Sequence, residues 1–220
     1  MNGAGGANAA EVATPDQCVE YVNRVGLCAW QPLRRFPDFP SLAPATPWQN
    51  PDMMNHTWFW KDDLHIEKRL FYGKILRGGA PAFAALSFLP LLIAAQGDID
   101  ARDLYERGRL AANALRVYEH VERNGPTATA ALPWPSGSRH LYLDQLQQRF
   151  LLTKHGLTGR TRGTYGYVWG LCETMFPEAL AEAGRVPVVD ARARVAEHLE
   201  RKGAGSSAGL AATLFGWHPL

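Results

Sequence analysis

The chain has 220 residues, 46% of them hydrophobic and 20% charged. That is the composition of a folded globular protein, and seven Trp, nine Phe and seven Tyr exclude disorder for most of its length. Twenty-three basic residues against 21 acidic ones leave a net charge of +2, so only the distribution of charge can select a partner.

Residues 1–13 are rich in Gly, Ala and Asn and lack the basic start and apolar run of a secretory signal, so a flexible tail is expected. The cysteines, Cys18, Cys28 and Cys172, are odd in number and widely spaced. That argues against a disulfide framework and a structural zinc, and fits a reducing cytoplasm. Thr14-Pro15-Asp16-Gln17 predicts a helix start: Thr14 caps, Pro15 suits the first turn, and Gln17 completes a capping box. Cys18, Val22 and Val25 follow at helical spacing, and Gly26 can close the helix. Residues 31–51 hold six prolines and no apolar period, which predicts an extended loop over a surface.

The densest aromatic cluster comes next: Trp58, Phe59, Trp60, Phe71 and Tyr72, interleaved with Lys61, Lys68, Arg69 and Lys74. A helix over about Asp62–Leu76 is expected. Residues 78–97 carry no charge and reach the length of a spanning helix, but Pro81 and Pro90 interrupt them. The expectation is a buried core segment and no membrane partner. From Ala101 to Asn124 one helix is expected, with Leu110, Ala114, Val117 and Val121 on its apolar face and Gly125-Pro126 as its stop. Thr127–Leu132 reads as a short helix and Ser136-Gly137-Ser138 as a turn. Ser138 can cap a helix from Arg139 to about Leu151 that buries Leu143, Leu146 and Phe150. Two strand-like runs, Phe150–Leu157 and Thr164–Cys172, flank a Gly-bounded tip containing Arg160 and Arg162. Val188–Arg201 reads as a helix, Gly203–Ala208 as a linker and Leu210–Phe215 as a short helix.

Helix, short helix, helix and hairpin is the order of a winged helix. The expected fold is therefore mainly α with small β-hairpins, as winged-helix modules in tandem. Residues 14–99 form an N-terminal module with the Pro-rich loop, and residues 100–186 a winged-helix domain. Residues 187–220 form a C-terminal helical segment that could belong to a further module. Between Ser136 and Gly166 stand Arg139, Arg149, Lys154, Arg160 and Arg162 against Asp144 alone. Charge concentrated on a recognition helix and wing is the footprint of a duplex binder. Arg139, Gln145, Arg149, Lys154, Arg160 and Arg162 are the expected phosphate and groove contacts. Neutralising about four phosphates would give a salt slope near −3.6. A solvated basic face on a protein-interaction module is the competing reading.

Other features carry weaker signals. Trp58 and Trp60 could stack on unpaired bases beside Lys61, or could be core. Asp62-Asp63-x-His65-x-Glu67 can be drawn as a metal site, but Asp62 and Glu67 do not share a helical face, and no metal is expected. Arg77-Gly78-Gly79 lacks the strand–helix context of a phosphate cradle. No nucleotide-binding or hydrolase motif is present, and no cofactor is expected.

Trp58-Phe59-Trp60-Lys61-Asp62-Asp63-Leu64, Phe71-Tyr72-Gly73-Lys74 and Leu89-Pro90, continued by Glu106-x-Gly108-Arg109-Leu110, Val117-Tyr118 and Gly125-Pro126-x-x-Thr129, carry a family resemblance. The chain resembles the AlkZ-type winged-helix DNA glycosylases, and in particular the shorter AlkZ-related proteins, over roughly residues 15–215. The resemblance implies tandem winged helices around a basic concave surface. It implies double-stranded DNA, alkylated DNA included, as partner, metal-free removal of alkylated bases or unhooking of crosslinks, and a location with the nucleoid. Characterised members use Q-Φ-Q or Q-Φ-D after an L-G-L-x run. Here the stretch is Val25-Gly26-Leu27-Cys28-Ala29-Trp30-Gln31, with Ala29 at the first catalytic position and Gln31 at the second. Gln31 is thus the one candidate catalytic residue, and ordinary glycosylase activity is expected to be absent or very weak. Gln145-Leu146-Gln147 also spells Q-Φ-Q, but in a helix those side chains point about 200° apart.

Overall fold

The computed structural model describes residues 12–47, 51–133, 139–202 and 208–217, without the side chains of 51–56, 139–140 and 208–210. The first helix, α1 (Pro15–Val25), starts as its sequence directs. The Gln17 amide donates to Thr14 Oγ1 at 3.2 Å, and Gln17 Oε1 accepts from the Ala13 amide at 2.8 Å. The helix ends at Gly26, whose φ is +78° and where a Cβ would stand 2.6 Å from the His198 ring. Both conditions require glycine.

Three short strands and a long helix follow: β1 (Leu27–Ala29), α2 (Pro51–Ile66), β2 (Phe71–Gly73) and β3 (Ala82–Ala84). The sheet is antiparallel with order β1-β3-β2. The helix expected over 62–76 lies earlier. It begins at Pro51 and stops at Ile66 because Lys68 takes a φ of +56° and the Arg69 and Leu70 amides turn back to the Leu64 carbonyl. The released residues Phe71–Gly73 then pair with β3. The Pro-rich loop closes the other edge of β1, where the Ala29 amide donates to Pro40 and the Leu42 amide to Ala29.

Helix α3 (Leu89–Gln96) is buried along its whole length. The uncharged segment is therefore core, and among the described residues no helix is long and apolar enough to cross a membrane. The single helix expected over 101–124 is two, α4 (Ala101–Glu106) and α5 (Ala112–Asn124). Gly108, at φ +67°, breaks it, and the Asp100 carboxylate accepts two amides of α4. Leu110, Ala114, Val117 and Val121 form the expected buried face. The predicted short helix over 127–132 is instead strand β4 (Thr127–Ala128) and one 3-10 turn.

The expected turn at Ser136–Ser138 and the Ser138 cap lie outside the described residues. Helix α6 (Arg139–Gln148) ends sooner than expected because Phe150 takes a φ of +54°. The hairpin β5 (Leu152–Gly159) and β6 (Gly166–Leu171) joins β4 in a second antiparallel sheet, order β4-β6-β5.

The wiring repeats. In each half a helix leads to a first strand, a second helix follows, and two further strands close a sheet whose order is first-third-second. In each half a positive-φ residue two positions past the second helix turns the chain into the hairpin.

The chain continues through α7 (Cys172–Met175), α8 (Pro177–Ala183), α9 (Val188–Arg201) and α10 (Ala208–Phe215). The expected 203–207 part of the linker lies outside the described residues. Helices α8 and α9 pack on α3, and α10 packs on α9. Arg192 Nε donates to the Ala95 carbonyl of α3 at 2.9 Å. His198 Nε2 and Lys202 Nζ donate to Val25 and Arg24 at the end of α1, at 2.8 and 2.7 Å. Lys202 is a cation at a helix C-terminus, where it is favourably placed, while burial lowers His198 below its ordinary value. The C-terminal helices thus complete the core of the N-terminal half. All three cysteines are free and buried, and burial pushes the Cys18 and Cys172 thiols up to about 12.

Candidate nucleic-acid interface

Ala29 is 1% exposed, paired with Ala82 on one side and bonded to the Pro-rich loop on the other. Its methyl group belongs to the core. Gln31 lies just past the end of β1, exposed, with no hydrogen bond among the described residues. Among the described residues no hydrogen bond joins it to another residue of the expected set.

The described polar side chains of α6 are engaged within the chain. Asp144 accepts from Lys74 Nζ at 2.9 Å, Gln147 Oε1 accepts from the Lys74 amide at 3.1 Å, and Gln148 Nε2 donates to the Leu76 carbonyl at 3.3 Å. Gln145 Oε1 accepts from the Ala111 amide at 3.2 Å. Gln145 and Gln147 therefore serve different neighbours. Arg149 is half-buried, and burial, then the charge of Arg109, lowers its pKa. The Arg139 side chain lies outside the described ones. At the hairpin tip Arg162 is exposed with no ion pair among the described residues. Arg160 is 54% exposed and pairs through both terminal nitrogens with Asp63 of α2.

Lys61, Lys154 and Trp60 lie inside the protein. Trp60 packs in the core of the N-terminal half with Trp30 and Leu64. The two lysines meet at the junction of the halves. Trp58, Lys61, Asp62 and His65 stand at i, i+3, i+4 and i+7 along α2, which places them on one stripe. That side of the helix packs on β5. Lys61 is 1% exposed and Asp62 is fully buried. Lys61 Nζ donates to Asp62 Oδ2 at 2.5 Å and to Tyr165 Oη at 2.9 Å, and sits 4.0 Å from the centre of the Trp58 ring. Tyr165 donates its own proton to Asp62 Oδ2 at 2.7 Å, so Tyr167 donates to Tyr165, also at 2.7 Å. Lys154 Nζ lies over the Tyr72 and Tyr167 rings at 3.8 and 4.3 Å, and 3.8 Å from Asp62 Oδ1. That carboxylate oxygen has no hydrogen-bond partner among the described residues.

One carboxylate thus faces two ammoniums in a site closed by aromatic rings. Burial lowers both lysines, against the pull of Asp62, and brings Lys154 down to about 7. Burial, and then the charge of Lys154, holds His65 down at about 3. His65 is therefore neutral. Its Nδ1 accepts from the Tyr72 amide, so Nε2 carries the proton and donates to the Lys154 carbonyl, both at 3.0 Å. Cations over rings in a desolvated site are worth about 2 kcal/mol each. This cluster fixes α2 against the C-terminal hairpin, and its amines have rings where a substrate would have to enter. The metal site drawn on this segment is dispersed: Asp63 pairs with Arg160, His65 has both nitrogens engaged, and Glu67 is exposed.

The family model for AlkZ-related proteins matches residues 12–215. The chain belongs to the AlkZ-related family. It is accordingly a DNA glycosylase-like protein with DNA as the suggested partner. Searches of curated proteins and of solved structures returned no match. Ala29, which the sequence resemblance sets at the first catalytic position, is a buried alanine in a strand of this AlkZ-related chain. The cluster around Asp62 escaped the sequence because helical periodicity counts apolar residues, and this stripe is half charged. Its spacing was the available signal.

Proposed function

We propose that the protein binds duplex DNA through two winged-helix modules in tandem and does not excise bases. One observation carries this reading: the two sheets share the order first-third-second, each fed by a helix that stops two residues before a positive-φ turn. Family membership supplies the partner. A location with the nucleoid follows from that partner. Arg162 and Arg160 at the hairpin tip contact phosphates, with Gln145 and Arg139 of α6 and Arg149 just past its end flanking them. Lys61, Lys154 and Trp60 serve the interior.

The chemistry is missing at one position. Hydrolysis of an N-glycosidic bond passes through a cationic sugar, and removing one preorganised polar group costs on the order of 100-fold to 1000-fold. Gln31 can hold a water by hydrogen bonding but cannot take its proton.

The test is fluorescence anisotropy with a 5′-hydroxyl duplex at two salt concentrations. With Lys154 enclosed and Arg160 shared with Asp63, two to three phosphates are neutralised, and the slope of log K against log salt is about −2 to −3. Single-turnover incubation with methylated duplex DNA releases no purine. No duplex affinity at low salt overturns the binding reading, and robust release that Gln31→Ala abolishes overturns the chemical one.

A further inference from the structure

Between the Pro-rich loop, the turn after β2 and α10 lies a cavity of about 450 Å³. Phe36, Leu76 and Leu214 contribute to its apolar wall, and Arg34, Arg35 and Arg77 also line it. Among the described residues no acidic side chain lines it. All three arginines are exposed, and none has an ion pair or hydrogen-bonded side chain among the described residues. Arg69, Arg102, Arg107 and Arg160, by contrast, are each held by a carboxylate. The walls are fixed: the Phe36 amide donates to Leu33 at 2.9 Å, closing a tight turn with Arg34 and Arg35 at its centre. The Arg77 amide donates to Leu214 at 2.8 Å. Gly78 and Gly79 take φ of +81° and +74°, and a Cβ on Gly78 would meet no atom within 4 Å. The backbone is open to close approach at Gly78, whereas at Gly79 the Asp144 carboxylate, held by Lys74, fills that side.

We infer that this cavity binds a phosphate monoester carried on a flat apolar body. Guanidinium groups offer planar, two-toothed donor sets that match phosphate oxygens. Three of them exceed what a single carboxylate can neutralise. A phosphate monoester brings a charge of about −1.5 to −2 and three acceptor oxygens. The apolar wall favours a body that gains by leaving water, and the Phe36 ring offers it an aromatic surface. The volume lies within the ~300–1,000 Å³ range of small-molecule sites. A 5′-phosphorylated nucleoside has this chemistry, either as a free nucleotide or as the 5′ end of a DNA strand. The internal backbone of a duplex does not: its phosphates are diesters and its bases stay stacked.

Isothermal titration of the full chain with phenyl phosphate, deoxyadenosine 5′-monophosphate and inorganic phosphate tests the site. Both organic phosphates bind at least ten-fold tighter than inorganic phosphate. Combining Arg34→Ala, Arg35→Ala and Arg77→Ala weakens them at least ten-fold with an unchanged circular dichroism spectrum, because all three side chains are exposed. Phe36→Ala weakens phenyl phosphate and leaves inorganic phosphate unaffected. Tighter binding of a 5′-phosphorylated single strand than of its 5′-hydroxyl counterpart assigns the ligand to DNA ends, and equal binding assigns it to free nucleotides. The proposal is overturned if neither organic phosphate binds, if inorganic phosphate binds as tightly, or if the triple variant binds like wild type. None of these outcomes depends on duplex affinity.

Discussion

Replacing Lys154 with Met removes one of two buried ammoniums while keeping a long unbranched side chain. In the wild type, Lys154 titrates at about 7 when folded against an ordinary 10.5. Between those pH values the unfolded chain holds the proton and the folded chain has released it. Stability therefore rises with pH across that window, by up to about 1.4 kcal/mol per unit. Integrated from pH 6.5 to pH 8.5, the gain is about 2 kcal/mol. The buried thiols act in the opposite direction. Cys18 and Cys172 titrate at about 12 when folded, so stability falls as pH rises past the ordinary thiol value of 9.0. That contribution is common to both proteins and cancels in their difference. Urea unfolding at pH 6.5, 7.5 and 8.5 measures it. The stability of wild type minus Lys154→Met increases by about 2 kcal/mol over the range. At pH 6.5 the variant equals or exceeds wild type, because Asp62 keeps Lys61 and the second buried charge is gone. Identical pH dependences for the two proteins would refute the reasoning, since Lys154 would then titrate as an exposed lysine does.

Ala29→Gln, which puts a glutamine at the position the sequence resemblance marks as catalytic, loses about 2–5 kcal/mol by overpacking a strand and burying an unpaired amide, read as a lower urea midpoint. It gains no measurable purine release. Asp63→Asn frees Arg160 and steepens the salt slope of DNA binding by about 0.9. Its cost in stability stays below about 1 kcal/mol because the Arg160–Asp63 pair is exposed; an unchanged slope would place the wing away from DNA.

The sequence was most informative where local chemistry decides. Helix α1 could be read from Thr14 to Gly26 because both caps are made by side chains and backbone within a few residues. Helix α9 matches its predicted range because Val188, Val195 and Leu199 are apolar at helical spacing with nothing to contradict them. The hairpin was legible from its strands and its Gly-bounded tip. Helix α2 was misplaced for two reasons. It starts at Pro51, the last of six prolines, and its stop depends on a positive φ at a lysine. The split at Gly108 was missed because a lone glycine in a helical pattern is usually tolerated. The basic stripe misled most. Counting charge between Ser136 and Gly166 could not show that Asp63, 97 positions before Arg160, would neutralise it. Nor could it show that Asp62 would draw Lys154 into the interior. The arginine-lined cavity was equally hidden, since Arg34, Arg35 and Arg77 meet only when the Pro-rich loop folds back beside the turn after β2.

The fates of Lys154 and Arg160 share one physical origin, the way the C-terminal hairpin wraps α2. Two register shifts in β5, between Lys154 and Gly156 and between Leu157 and Gly159, bend that strand. The bent hairpin meets α2 twice. Near its start Lys154 faces Asp62 in a dry site, and at its tip Arg160 meets Asp63 in water. The inner contact is costly to break from the Asp62 side, because removing the one carboxylate leaves two buried ammoniums without a counter-charge, at about 3–5 kcal/mol. The outer one is cheap, worth about 1 kcal/mol or less. A phosphate arriving at the tip can therefore displace Asp63 from Arg160 without loosening the junction beneath. The inner cluster sets where the wing stands, and the outer pair sets how much charge it presents. On the proposed reading, the DNA affinity of the C-terminal module is adjusted by two adjacent aspartates on a helix of the N-terminal one, and the two halves bind as a single unit.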